Sequence, residues 1–261
     1  MRETAVSVEG FSLREGRHAA GSSLAWHRHA GATICFVYRG AFAERFAGVT
    51  LECTPGTLKI TPAEEPHSNR FGREETRGLL IEANAAGVER LGPHAHILEE
   101  RASFRDAHLS LLGWRLLAEL RAGDSAAPLA IEGILLEVLA GAARARELRM
   151  RGTVPPRWVT EARDLLHEPE PVGSLGELAD AVGVHPVTLA RGFRKAYGCS
   201  VGAYLRRLRI ARAAQRLTET DDSLAEIALE AGFADQSHFS NLFRRETGLS
   251  PSAFRRSVTH K

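Results

Sequence analysis

Cysteine is scarce in this chain. Its three residues, Cys35, Cys53 and Cys199, lie far apart, form no CxxC pair and match no zinc-ligand spacing. A disulfide framework and a cysteine-built zinc finger are excluded, and buried free thiols in a reducing compartment are expected. No apolar run approaches the ~20 residues a helix needs to span a bilayer. Met1 to Gly10 lacks the apolar stretch of a signal peptide. A cytoplasmic chain with no membrane partner is the expectation. Paired carboxylates, a Ser/His/Asp arrangement and a phosphate-binding glycine loop are also missing, so no enzyme is expected. The most localised absence is of acid. Between Asp180 and Glu219 there is no Asp or Glu, while Arg191, Arg194, Lys195, Arg206, Arg207, Arg209, Arg212 and Arg216 all fall there. The net charge is only +2, so cations are segregated and not in excess. A basic run this long on helix is a candidate phosphate-binding surface.

Periodicity divides the chain. Thr33–Tyr38, Ala41–Phe46, Val49–Cys53, Thr57–Ile60 and Gly78–Ile81 are short strand-like runs punctuated by Gly40, Gly48, Pro55-Gly56 and Pro62. Short strands with such turns predict a small barrel or sandwich. Leu109, Leu112, Leu116, Leu117 and Leu120 then recur at helical spacing, as do Ile131, Ile134, Leu135, Val138 and Leu139. Two amphipathic helices follow, the second fading into the charged stretch Arg144–Arg151. The segment 152–156 carries Pro155-Pro156 and reads as a linker. Everything beyond it is helical in pattern. The expected architecture is α+β: a barrel over 1–100, a helical connector over 101–151, the linker, and an all-α domain over 157–261.

The last domain contains an internal repeat of about 50 residues. In its first copy Leu175, Leu178, Ala179 and Val182 follow Ser174, a candidate N-cap. Gly183 makes a turn, and Pro186 opens a helix striped by Leu189, Phe193 and Tyr197. In the second copy Leu224, Ile227, Ala228 and Ala231 follow Ser223, Gly232 turns the chain, and Phe239 and Phe243 form the stripe. Helix, glycine turn, helix is the outline of a helix-turn-helix, here over 175–196 and 223–246. The outer face of the first second-helix carries Val187, Thr188, Arg191, Arg194 and Lys195. That of the second carries Gln236, Ser237, His238, Ser240, Asn241 and Arg244, with Asp235 as N-cap. These residue types hydrogen-bond base edges and phosphates. Val201–Thr218 reads as a connecting helix of about 27 Å, slightly less than one turn of DNA. Its arginines, Arg206 and Arg209 among them, face outward in this reading.

The strings LGELADAVGVHPVTLARGFRKAYGCSVGAYLRRLRIARAAQRL and IALEAGFADQSHFSNLFRRETGLSP resemble the DNA-binding domain of the AraC/XylS transcription regulators, from about Arg157 to Arg256. The resemblance implies double-stranded DNA and RNA polymerase as partners, activation more often than repression, and a small-molecule effector at a separate N-terminal domain. It places the base-reading positions on Val187, Ala190 and Arg191, and on Gln236, Ser237, Ser240 and Asn241. His185 stands where many members have a serine cap. Ala190 offers only a methyl group, so direct readout in the first unit leans on Arg191.

His27-Arg28-His29 with Gly40, and Gly56 through Pro62 to His67, resemble the two motifs of a cupin barrel over about Ala25–Phe71. The phrase PAEEPHSNRFG is also similar to sensor domains of AraC-type regulators. His27, His29 and His67 occupy the metal-binding histidine positions of cupins. The glutamate position falls near Thr33, which cannot replace it. No cofactor is expected on the regulator reading; the alternative is a barrel that binds a divalent metal through the three histidines, with or without catalysis. An effector pocket inside the barrel, lined by Trp26, Phe36, Tyr38 and Phe46, is expected. Family resemblance implies a homodimer along the two middle helices, whereas periodicity alone fits an internal core equally well.

Overall fold

The structure is a computed structural model that describes residues 5–150, 155–168 and 174–259. The chain begins with β1 (Ala5–Val8), β2 (Phe11–His18), β3 (Ser23–His27), β4 (Ala32–Arg39), β5 (Phe42–Phe46), β6 (Val49–Cys53), β7 (Leu58–Thr61), β8 (His67–Phe71) and β9 (Thr76–Ala83). Helix α1 (Ala85–Leu91), a 3₁₀ segment (Gly92–Leu98) and β10 (Ala102–Phe104) follow. Strands β1-β2-β9-β4-β7-β10 form one antiparallel sheet and β3-β8-β5-β6 a second. Because β10 pairs with β7, the first sheet takes in residues 102–104. The expected linker lies outside the described residues except for Pro155 and Pro156.

Alternation along β4 separates two cores. Ile34, Phe36 and Tyr38 join a large cluster with the helices, whereas Cys35 and Val37 join Phe42, Leu51, Cys53 and Phe71 between the sheets. Phe36 and Tyr38 therefore face away from the barrel interior. Trp26 is 55% exposed, so of the four expected pocket aromatics Phe46 alone is buried beside an interior side chain, His67, with ring centroids 5.8 Å apart. The thiols are free. Burial pushes Cys35 up to about 11 and Cys53 up to about 12, far from thiolate chemistry.

The middle helices are α2 (Ala107–Ala122) and α3 (Ala127–Met150). Asp106 caps α2 by accepting from the His108 and Leu109 amides. Leucines, Trp114 and small residues bury α2 around most of its circumference. It packs on β4, β7 and α3, and on the helices of the C-terminal domain. These are α4 (Arg157–His167), α5 (Leu175–Ala181), α6 (Pro186–Tyr197), α7 (Val201–Glu219), α8 (Leu224–Glu230), α9 (Gln236–Thr247) and α10 (Pro251–Thr259). One continuous core joins the barrel, α2, α3, α7, α8, α9 and α10; a second joins Ala107 to α4, α5, α6 and the start of α7. Trp114 meets Phe36 on one side and Phe254 on the other. At the end of α2, Arg121 grips Glu15 of β2 through two hydrogen bonds of 2.6 Å and also donates to the Val258 carbonyl of α10.

Close approach of α2 to β4 depends on Gly113, where a Cβ would lie 2.4 Å from the Phe36 ring. Gly113→Ala is expected to destabilise the chain by about 1–3 kcal/mol through overpacking. Gly133→Ala on α3, where a Cβ meets nothing within 4 Å, is expected to stabilise by up to about 1 kcal/mol. Urea midpoints at constant m-value check both. Burial, helped by Arg105, Arg163 and Arg212, lowers His167 to about 4. An unfolded histidine protonates near pH 6.5, so the unfolded state takes up the proton first and stability falls as pH drops from about 6.5 to about 4. His167→Gln should make that fall shallower in the same titration.

Candidate nucleic-acid interface

Each helix-turn-helix is set by local chemistry. Ser174 Oγ accepts from the Glu177 amide and starts α5; Gly183 turns the chain at φ +70°. The His185 ring caps α6, its Nδ1 accepting from the Val187 amide at 3.3 Å. Histidine thus does at this position what serine does elsewhere in the resemblance. Leu189 and Phe193 bury against Leu178, Ala179, Leu166 and Tyr204. Trp158 of α4 lies over Gly192, where a Cβ would sit 2.2 Å from the indole. In the second unit Ser223 and Glu226 form a reciprocal capping box. Gly232 turns the chain at φ +80°, and Asp235 caps α9 by accepting from the His238 amide at 2.7 Å. Phe239, Leu242 and Phe243 are buried.

The faces left over are the predicted ones. On α6, Val187, Thr188, Arg191, Arg194 and Lys195 are exposed, and Ala190 is half-buried. On α9, Gln236, Ser237, His238, Asn241 and Arg244 are exposed and Ser240 is half-buried. The two rows differ in character: the first is cationic, the second mostly neutral and polar.

The basic run resolves into two populations. Arg191, Arg194, Lys195 and Arg206 are exposed. Arg207, Arg212 and Arg216 have partners within the fold. Arg212 donates to the carbonyls of His167 and Glu168 at 2.8 and 2.7 Å, closing the C-terminus of α4. Arg216 pairs with Asp222 and Glu230, and Arg207 lies 3.9 Å from Glu246. Arg209, expected on the phosphate face, is half-buried with its guanidinium against Gly232, 3.1 Å from where a Cβ would be. The acids that neutralise Arg207 and Arg216 lie beyond Glu219 in sequence, so a scan of the run alone missed them.

A second cluster sits inside the barrel. His27, His29 and His67 each offer a nitrogen, all within 4.8 Å of one another. Thr33, at the expected glutamate position, is buried with no carboxylate to offer. A buried carboxylate, Glu44 on β5, stands beside the cluster, its Oε1 3.6 Å from His67 Nε2 and 2.6 Å from Lys59 Nζ. Sequence reasoning missed Glu44 and Lys59; their signal was a lone charge at inward positions of β5 and β7. Burial, then His67 and His27, holds His29 below its ordinary value. Burial also lowers His67, against the opposing pull of its bond to the Glu65 carbonyl and of Glu44.

Two family profiles match the chain: a helix-turn-helix domain over residues 178–257 and an AraC-like ligand binding domain over residues 11–139. The HTH-type transcriptional activator RhaS of Escherichia fergusonii is 44% identical over 78 residues, 30% of this chain and 28% of RhaS. The probable transcription factor PqrA of Proteus vulgaris is 35% identical over 82 residues, 31% of this chain and 67% of PqrA. The chain thus aligns with under a third of the length of RhaS. A crystal structure of a transcriptional regulator of Chromobacterium violaceum, described among AraC-type DNA-binding domain-containing proteins, is 32% identical with a TM-score of 0.37. It covers 40% of this chain and 93% of that one.

The division of the basic run is testable by salt dependence of binding to duplex DNA. Arg206→Ala should reduce the log–log salt slope by about one, the signature of one lost phosphate contact. Arg209→Ala should leave the slope unchanged. A matching drop for both would place Arg209 back on the phosphate face.

Proposed function

This chain belongs to the AraC family of transcriptional regulators, and on that premise we propose that it binds specific sequences in double-stranded DNA and activates transcription. The observation that carries the reading is the pair of capped helices, α6 and α9, whose apolar stripes are buried and whose polar rows stand free. Arg191 is the main base reader of the first unit, with its fork suited to guanine. The Val187 and Ala190 methyl groups suit thymine. Gln236, Ser237, Ser240 and Asn241 read in the second unit. Arg194, Lys195 and Arg206 hold phosphates, with Thr188, His185, His238 and Arg244 flanking the duplex. Activation requires contact with RNA polymerase, and a role on chromosomal DNA places the chain in the cytoplasm.

The signal enters at the N-terminal barrel as a small-molecule effector. A groove of ≈ 800 Å³ there is lined by Val8, Phe11, Val88 and Leu98, with Glu82 and Glu99 beside them, a volume suited to such a ligand. An effector that binds one arrangement of the domains better than another shifts their populations. The outer face of α3 leaves Leu129 76% exposed, with Leu136 exposed two turns further on, and is the surface on which a homodimer would form. Matched relatives carry the names of transcription regulators, which does not favour a metalloenzyme.

Band shifts on the DNA upstream of its own coding sequence test the function. Wild type should retard that fragment at physiological salt in excess of random competitor. Arg191→Ala and Asn241→Ala should each weaken specific binding by about 1–3 kcal/mol and leave random-sequence binding nearly unchanged. Equal losses on every duplex would reduce both residues to phosphate contacts and sink the readout assignment.

A further inference from the structure

The groove on the barrel has apolar walls and charge of one sign. Val8, Phe11, Val88 and Leu98 border it together with the carboxylates of Glu9, Glu82 and Glu99; no lysine, arginine or histidine does. The three acids differ in what holds them. Glu9 Oε2 lies 3.5 Å from Arg90 Nη1 at the exposed rim. Glu99 is exposed and Glu82, on β9, is half-buried; neither pairs with a cation among the described residues. The arginines of the surrounding segments are engaged elsewhere, Arg90 with Glu9 and Glu132, Arg101 with Glu65 and Arg146 with Glu100. Glu82 is held in place by the loop between β3 and β4. Its Oε1 accepts from the Gly31 amide at 3.3 Å, and a Cβ on Gly31 would lie 3.1 Å from Glu82 Cγ. Its Oε2 accepts no hydrogen bond among the described residues. The other wall is equally fixed: Gly10 and Gly87 meet backbone to backbone, and the Gly10 carbonyl accepts from the Asn84 amide at 2.9 Å. Walls set in this way make a largely pre-formed ligand site.

Resting on the effector reading of this groove, we propose that its ligand is an amphipathic organic cation: a protonated amine whose ammonium meets Glu82 and whose apolar body lies against Val8, Phe11, Val88 and Leu98. A half-buried carboxylate has lost part of its water, and an ammonium replaces that water with a charge-assisted hydrogen bond to the free Oε2. A neutral ligand of the same shape covers Glu82 without answering its charge, which costs free energy. An anionic ligand meets Glu82 and Glu99 with no lining cation to receive it, so repulsion supplies part of the discrimination. A polyhydroxyl ligand would set its hydroxyl groups against four apolar side chains. An inorganic cation would leave those side chains in water and gain nothing from them. Only a ligand with an apolar body and a positive end uses both features of the groove.

The test is a calorimetric titration of the full-length protein, without DNA, at neutral pH. Three probes of matched shape are used: 4-phenylbutylamine, 4-phenylbutanol and 4-phenylbutyrate. Wild type should take up one amine per chain, with affinity about tenfold above that for the alcohol, and the carboxylate should bind more weakly still. Melting temperature should rise with amine concentration, as binding to the native state requires. Glu82→Gln should bring the amine to within about twofold of the alcohol and leave the alcohol unchanged, a pattern that general loss of structure would not give. Val88→Lys, at an exposed position of α1, is the second variant, should Glu82→Gln misfold; it should weaken the amine about tenfold and strengthen the carboxylate. Absence of saturable amine uptake in wild type, an equal or tighter fit of the alcohol or the carboxylate, or an unchanged amine preference in folded Glu82→Gln overturns the proposal. Wild type that retards DNA yet takes up no amine overturns the ligand class and leaves the regulator reading standing. Wild type that takes up the amine yet retards no DNA supports the site and overturns the regulator reading.

Discussion

Helix α2 must be covered on nearly every side, and the arrangement of the rest follows from that. A helix this apolar around its circumference has no face to offer water. The six-stranded sheet covers one side, α3 a second, and α7, α9 and α10 a third. Gly113 removes the Cβ that would hold the sheet away. The C-terminal end is locked by charge: Arg121, Glu15 and Tyr38 satisfy one another's polar groups. Burial alone would raise the Glu15 carboxyl; the hydrogen bonds from Arg121 and Tyr38 outweigh it and hold the group low. A buried pair of this kind contributes less to net stability than to uniqueness of packing, since its desolvation cost is large. Removing one partner would strand the other.

The same helix treats the two helix-turn-helix units differently. The second unit shares the large core with the barrel and α2, whereas the first meets α2 at its start, through Ala107. Charge follows the same division. The cationic row of α6 is free of acids, while Asp222, just ahead of the second unit, and Glu230 and Glu246 within it pair with arginines of α7. One unit presents a cationic row, and the other presents a mostly neutral polar row and shares its core with the barrel.

The helical half was legible because its chemistry is local. Caps at Ser174, Ser223 and Asp235, turns at Gly183 and Gly232, and buried stripes on α6 and α9 all fall where periodicity put them. The strands were less so, for a physical reason. β8 points His67 and Asn69 inward, and β3 is an edge strand with Leu24 and Trp26 exposed. In both, the two-residue alternation of apolar side chains that announces a strand is broken. Such breaks mark the strands that carry His27 and His67. Arg209 shows a contact that sequence spacing does not announce: its guanidinium lies against a turn twenty-three residues away.

The burial of α2 has a consequence for how the chain is made. Trp114 leaves the ribosome well before Phe254, the ring that covers its far side. At about 5–20 residues per second the wait is roughly 7–28 s. Through that interval a barrel that is already complete presents an uncovered leucine-rich ridge, a surface that chaperones hold and that drives aggregation when they do not. A chain truncated after α3 would keep that ridge exposed for good. The cover for this ridge is therefore supplied late in synthesis, by the C-terminal helices.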